Sequence, residues 1–109
     1  MNTELKISLK KIDSNALFVI DGEIDSTNYE IFRKALFSEF KLTEDISKII
    51  FELKNCGLIS SNGFGIFYEF RDTIEKRGFN GGIKIINANK AVIKLIKMLK
   101  MDDEFIVET

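Results

Sequence analysis

The feature that most constrains the fold is an alternation running from Lys48 onward. Short runs of branched and aromatic residues take turns with longer stretches whose apolar residues fall three and four apart. A strand, a helix and a second strand in succession leave room for a crossover, and a crossover makes the two strands parallel. Lys48 to Leu53 (Lys-Ile-Ile-Phe-Glu-Leu) is too short for a helix and rich in strand formers, so it reads as a central strand. A helix is expected from about Ser61 to Arg77, with Ile66, Phe67, Phe70 and Ile74 turned inward and Gly78 as its stop. Ile83 to Ile86 is another short strand, behind Gly81-Gly82. Asn87-Ala88-Asn89 can cap a third helix, where Val92, Leu95, Ile96 and Leu99 have helical spacing and Lys90, Lys94 and Lys97 line a solvent face. Phe105-Ile106-Val107 suggests a last edge strand.

The first half of the chain fits the same frame. Glu4 to Ile12 alternates apolar and polar residues, as a half-buried strand does. Asp13-Ser14-Asn15 is turn chemistry, and Ala16 to Ile20 is a continuous apolar run, so the pair reads as a hairpin with a three-residue loop. Asp21 to Asp25 is expected to leave that strand. Ser26 or Thr27 then opens a helix, Thr27 and Glu30 having capping-box spacing. Ile31, Phe32, Ala35, Leu36 and Phe40 form its expected buried stripe. Lys54-Asn55-Cys56-Gly57 reads as a turn, after which Leu58 and Ile59 bring the chain back to the core. The order is β-β-α-β-α-β-α-β. It predicts one α/β domain over residues 1–109, with a mixed, mainly parallel sheet and helices packed on it.

Composition narrows the functional classes. Sixteen basic residues stand against 17 acidic, a net charge of −1, which gives no electrostatic footprint for direct nucleic-acid or membrane binding. No histidine is present, which removes a Ser-His-Asp triad, a Cys-His pair and any histidine metal site. The single cysteine, Cys56, allows neither an intrachain disulfide nor a multi-cysteine metal cluster, and it reads as a small loop residue. Asp21, Glu23 and Asp25 read as a solvated turn rather than a cation site. With no signal-peptide pattern and no apolar run near the ~18 residues of a membrane span, the expectation is a cytoplasmic protein. Ten Phe and no Trp predict a phenylalanine-rich core.

The chemistry concentrates in Ser60-Ser61-Asn62-Gly63-Phe64-Gly65, between the central strand and the second helix. Serines there can cap the helix, and an exposed serine lies near backbone N–H groups without helical partners. From the residues alone, a plain cap and a modification site both stay open. A serine nucleophile does not fit, because no histidine base is available and Gly-x-Ser-x-Gly is absent. No catalytic residue, cofactor or metal is expected.

With this order and these residues, the chain resembles the STAS domain family, specifically the single-domain anti-anti-sigma factors (anti-sigma factor antagonists) of bacteria. The loop-helix motif of that family, usually Asp-Ser-Ser/Thr/Ala-Gly-Leu-Gly, aligns on Gly63-Phe64-Gly65. Gly22-Glu23-Ile24-Asp25 matches the family's Gly-Glu-Leu/Ile-Asp. The resemblance covers essentially the whole chain. It implies that Ser61 is the phosphorylated serine, with Ser60 the lesser candidate, and that a serine kinase using ATP, itself the anti-sigma factor, modifies it. Unmodified protein would bind that kinase and free a sigma factor. Phosphorylation would end the binding and a PP2C-type phosphatase would restore it. Asp25, Ser60, Ser61, Asn62, Gly63 and Phe64 are the implied partner-binding residues. The chain departs from the motif at Ser60, where aspartate is usual, and at Asn62, where a small residue is usual. Those departures motivate the alternative of a phosphorylation-independent interaction module.

Overall fold

The structure, a computed structural model, describes residues 4–108, so the ends of the expected 1–109 domain lie outside the described residues. Strand β1 (Lys6–Ile12) pairs antiparallel with β2 (Asn15–Ile24). The loop is two residues rather than three, because Asp13 takes a positive φ of 55° and lets Asn15 pair directly with Ile12. Helix α1 (Tyr29–Lys34) widens into a π turn over Ala35–Glu39 and is followed by β3 (Lys48–Glu52). A short strand β4 (Cys56–Ile59) leads into α2 (Ser61–Lys76). Strand β5 (Gly82–Ile86), α3 (Lys90–Met98), a 3-10 turn at Met101–Asp103 and β6 (Ile106–Glu108) complete the order. The result is the expected α/β domain with a mixed, mostly parallel sheet, plus one strand the sequence reading did not contain.

The extra strand explains the main departures. Strand β2 is long enough to serve two partners on the same side. Its first half, Asn15–Val19, pairs parallel with β3, and its second half pairs parallel with β4 through Gly22↔Cys56 and Ile24↔Ile59. Asp21 to Ile24 therefore stay in the strand instead of leaving it. Cys56 and Gly57 belong to β4, not to a turn. Gly22 has φ +110°, and a Cβ there would meet Glu4 O at 3.0 Å and Leu5 Cα at 3.1 Å. Only glycine lets the strand bulge while the chain entering β1 packs that close.

The sheet runs β1-β2-β3-β5-β6, with β4 beside β2. On one face Phe18 and Phe51 are stacked 5.0 Å apart between ring centres, and Phe51 meets Phe67 of α2 edge-on at 4.8 Å. Such pairs add about 0.5–1.5 kcal/mol each beyond their burial. All the phenylalanines except Phe37 are buried, as the composition predicted. Three residues expected in apolar packing are not: Ile31 is 48% exposed, Leu58 43% and Leu99 47%. Ile31 sits one helical step from the face that carries Phe32, and Leu58 alternates with the buried Ile59. The expected Thr27–Glu30 capping box is also replaced. The acceptor at the head of α1 is Asp25 Oδ1, which takes hydrogen bonds from Thr27 N–H (2.8 Å), Thr27 Oγ1–H (2.6 Å) and Asn28 N–H (3.1 Å).

Candidate functional site at the head of helix α2

The parallel pairing of β2 and β4 delivers the serines to the carboxyl rim of the sheet. Ser60 N–H donates to Ile24 O at 2.8 Å, one rung beyond the last pair. Ser60 then turns at φ −78°, ψ 170°, and its Oγ accepts a 3.4 Å hydrogen bond from Gly63 N–H. Its carbonyl accepts from Phe64 N–H at 3.1 Å. Ser60 is thus the N-cap, half-buried and committed to the helix. Ser61 is the first helical residue and is exposed, as is Asn62. The N–H groups of both lie in the first turn, where no helical carbonyl precedes them, at the positive end of a 16-residue helix dipole.

Gly63 faces the other way. A Cβ there would approach Ile24 Cγ2 and Ile59 Cγ2 to 2.8 Å, so the helix rests its backbone on the ends of β2 and β4. The close approach at Gly63 is to the chain's own sheet, not to a partner. Phe64 is 4% exposed and belongs mainly to the core. Gly65 has nothing within 4 Å of a built Cβ.

Ser61 opens onto a groove of about 270 Å³. Ser60, Ser61 and Phe64 line one side, and Leu95, Met98 and Leu99 of the α3 end line the other. Leu58 at 43%, Met98 at 69% and Leu99 at 47% exposure give it an apolar rim. Tyr68 Oη–H donates to Leu99 O at 3.2 Å and holds the end of α3 against α2. Sequence reasoning assigned Leu58 and Leu99 to apolar packing and passed over Met98. The available signal was an adjacent Met-Leu pair at the very end of α3, of which the stripe uses only Leu99.

Asp25 reaches the same end of the sheet, just past the end of β2, but it lines a different groove with Glu4, Glu23, Asn28 and Ile31. Its carboxyl lies below the ordinary carboxylate range. The Thr27 hydroxyl is the main cause, helped by the Thr27 N–H and, less, the Asn28 N–H, with burial opposing. Asp25 is therefore first the acceptor that holds the turn leading into α1. Cys56 is 1% exposed, and burial pushes its thiol up to about 11, partly offset by a backbone hydrogen bond at Leu58, with the charges of Glu23 and Asp21 raising it further. It is a neutral core thiol at neutral pH. Among the described residues no cluster of acids and cysteine has the geometry to hold a metal ion, and no helix is long and apolar enough to cross a membrane.

A mixed, mostly parallel sheet with a long second strand, a bulged glycine and a serine-capped helix at its rim defines a small α/β domain. The STAS domain family model matches residues 6–109, and the chain belongs to that family. Among solved structures it is similar to an anti-sigma factor antagonist from Mycobacterium paratuberculosis, with a TM-score of 0.80 at 14% identity over 96% of this chain and 86% of that one. It is also similar to the Bacillus cell fate determinant SpoIIAA in its phosphorylated form, with a TM-score of 0.62 at 15% identity over 97% and 92%. The murine anion transporter Slc26a9 contains a like segment, with a TM-score of 0.69 at 18% identity over 82% of this chain and 14% of the transporter. At these identities the likeness is one of fold. No curated protein is similar enough to this chain to count as a match.

Proposed function

We propose that this protein is an anti-sigma factor antagonist switched at Ser61. Unmodified protein docks on a serine kinase that doubles as the anti-sigma factor, and a sigma factor is released. Phosphorylation ends the complex and a PP2C-type phosphatase renews it, all in the cytoplasm. In the transfer, Ser61 Oγ bonds to the γ-phosphorus of ATP, the bond to ADP breaks, and the hydroxyl proton passes to a base on the kinase. This chain supplies the acceptor and the docking surface, and catalysis belongs to the partner. The observation that carries the reading is an exposed serine at the first helical position, beside an apolar-rimmed groove, with its neighbour Ser60 already occupied as the cap.

The physics suits a local switch. A phosphoserine adds about −1.5 to −2 charge at neutral pH. The head of α2 stabilises such a charge by about 0.3–1 kcal/mol, so the fold tolerates it. A partner pressed against Leu58, Met98 and Leu99 would have to desolvate it. A loss of about 2–3 kcal/mol weakens binding roughly 30- to 150-fold without refolding. The phosphorylated form of SpoIIAA supports the reading by showing that a relative of this fold carries the modification. Incubation with the cognate kinase and ATP, followed by peptide mapping, tests it. Phosphate on Ser61 is expected, and an unmodified chain would refute it. In that case Ser60, standing where the family has aspartate, would favour a constitutive interaction module.

A further inference from the structure

Among the described residues, the helices cover one face of the sheet and leave the other bare. On β2 the residues alternating with buried Ala16, Phe18 and Ile20 are Leu17, Val19 and Asp21. Leu17 pairs beside Ile50 of β3, and Val19 beside Glu52, which in turn pairs beside Ile86 of β5. Leu17, Val19, Ile50 and Ile86 are half-buried, and none belongs to the core cluster or to the side chains packed against it. Ile12 and Ile106, 50% and 46% exposed, extend the band at its margins. A solvated sheet face normally alternates to polar residues, so an apolar band across three central strands calls for a cover.

The charges on this face say what covers it. Lys48 and Glu52 lie two residues before and two after Ile50 on the same strand and the same face. The Glu52 carboxylate is held in place by Lys54 N–H at 3.1 Å and Asn87 Nδ2–H at 3.0 Å. Lys84 is neutralised in the sheet by Glu108 at 3.2 Å. Lay a second copy on this face with its strands reversed and Ile50 near the two-fold axis. Each Lys48 then falls opposite a Glu52. Stacked sheets lie about 10 Å apart, a gap that a lysine and a glutamate side chain span together. A two-fold axis requires such self-complementarity. The same axis sets Lys84 and Lys10, level with Ile50 and Leu17, opposite their own copies, with Lys84 neutralised by Glu108 and Lys10 exposed at the β1 edge.

We propose that the bare face is a homodimer interface, two copies stacked sheet on sheet with antiparallel strands. Leu17, Val19, Ile50 and Ile86 fill the middle and reciprocal Lys48–Glu52 pairs close the ends. Four strands at ~4.8 Å and about five residues at ~3.3 Å make a patch roughly 15–20 Å on a side, below the standard interface, so the dimer is weak and concentration-dependent. The Ser61 groove lies on the helical side and stays open in both copies.

Sedimentation velocity on the full chain from about 5 to about 500 μM tests for a weak, concentration-dependent dimer. The wild-type coefficient should rise from monomer to dimer. Lys48→Glu and Glu52→Lys should each weaken association at least about tenfold, ~1.4 kcal/mol, by facing like charges. An equimolar mixture of the two should recover it, since both cross-pairs are restored with signs exchanged. A wild-type chain monomeric throughout, variants that dimerise undiminished, or a mixture that fails to recover would each overturn the proposal. An amide-shift dilution series on the wild type reads the same face without substitution. Changes should centre on Leu17, Val19, Ile50 and Ile86, and changes centred elsewhere would overturn it.

Discussion

Two glycines two residues apart, on opposite sides of α2, should respond in opposite directions to the same methyl group. At Gly63 the added Cβ would lie 2.8 Å from Ile24 Cγ2 and from Ile59 Cγ2, on β-branched side chains at the ends of two strands. Neither isoleucine can swing aside as the tip of a flexible side chain would, because both are buried at the sheet rim. Overpacking of this kind costs about 1–3 kcal/mol, and the better helix propensity of alanine returns up to ~1 kcal/mol. Gly63→Ala should therefore lose up to about 2 kcal/mol. At Gly65 nothing lies within 4 Å, so Gly65→Ala should gain about 0.5–1 kcal/mol from propensity alone. Urea unfolding of the two variants and the wild type gives the comparison, with midpoints moving apart at an unchanged slope. Equal stabilisation by both substitutions would refute the close packing of α2 on Ile24 and Ile59, and with it the placement of Ser61.

Three further outcomes follow from the same geometry. Asn89 caps α3 by accepting from Val92 N–H at 2.8 Å and also donates to Gly57 O at 3.1 Å, so Asn89→Ala should cost about 1–2 kcal/mol in a denaturant titration. Cys56 should resist a thiol reagent in the folded protein and react only at the unfolding rate, since burial holds its thiol near about 11. Asp25 has a folded-state value below its ordinary one, so its contribution is present above the ordinary carboxylate range and fades as the pH falls through the depressed value. Melting curves of wild type and Asp25→Asn should differ at neutral pH and converge in acid.

Much of the fold was legible because the strand-helix alternation is local and strongly patterned. The boundaries of α2, the Ser-led cap and the inward set Ile66, Phe67, Phe70 and Ile74 follow from spacing alone. The β4 strand was not legible, because Lys54-Asn55-Cys56-Gly57 has turn composition and becomes strand only through pairing with the far half of β2. The same pairing hid the true length of β2. At the site, sequence and structure agree that the serines sit at a helix head. Only the coordinates separate their tasks, Ser60 bonding Gly63 N–H while Ser61 faces the groove. Gly63 stood among the partner-binding residues that the resemblance implies, whereas the atoms opposite it are Ile24 and Ile59. Leu58, Met98 and Leu99 were invisible as a unit, since two elements far apart in sequence bring them together.

The central claim is that charge on Ser61, and not on its neighbour, decides docking. Its most direct test is the affinity of the cognate kinase, measured by calorimetry, for unmodified chain, for chain phosphorylated to completion, and for Ser61→Ala and Ser60→Ala treated alike with kinase and ATP. Phosphorylated wild type and treated Ser60→Ala should bind at least about 30-fold more weakly than unmodified chain, a loss of ~2 kcal/mol, while treated Ser61→Ala should keep its affinity. Equal binding by phosphorylated and unmodified chain, or loss of binding that follows Ser60 instead, would contradict it.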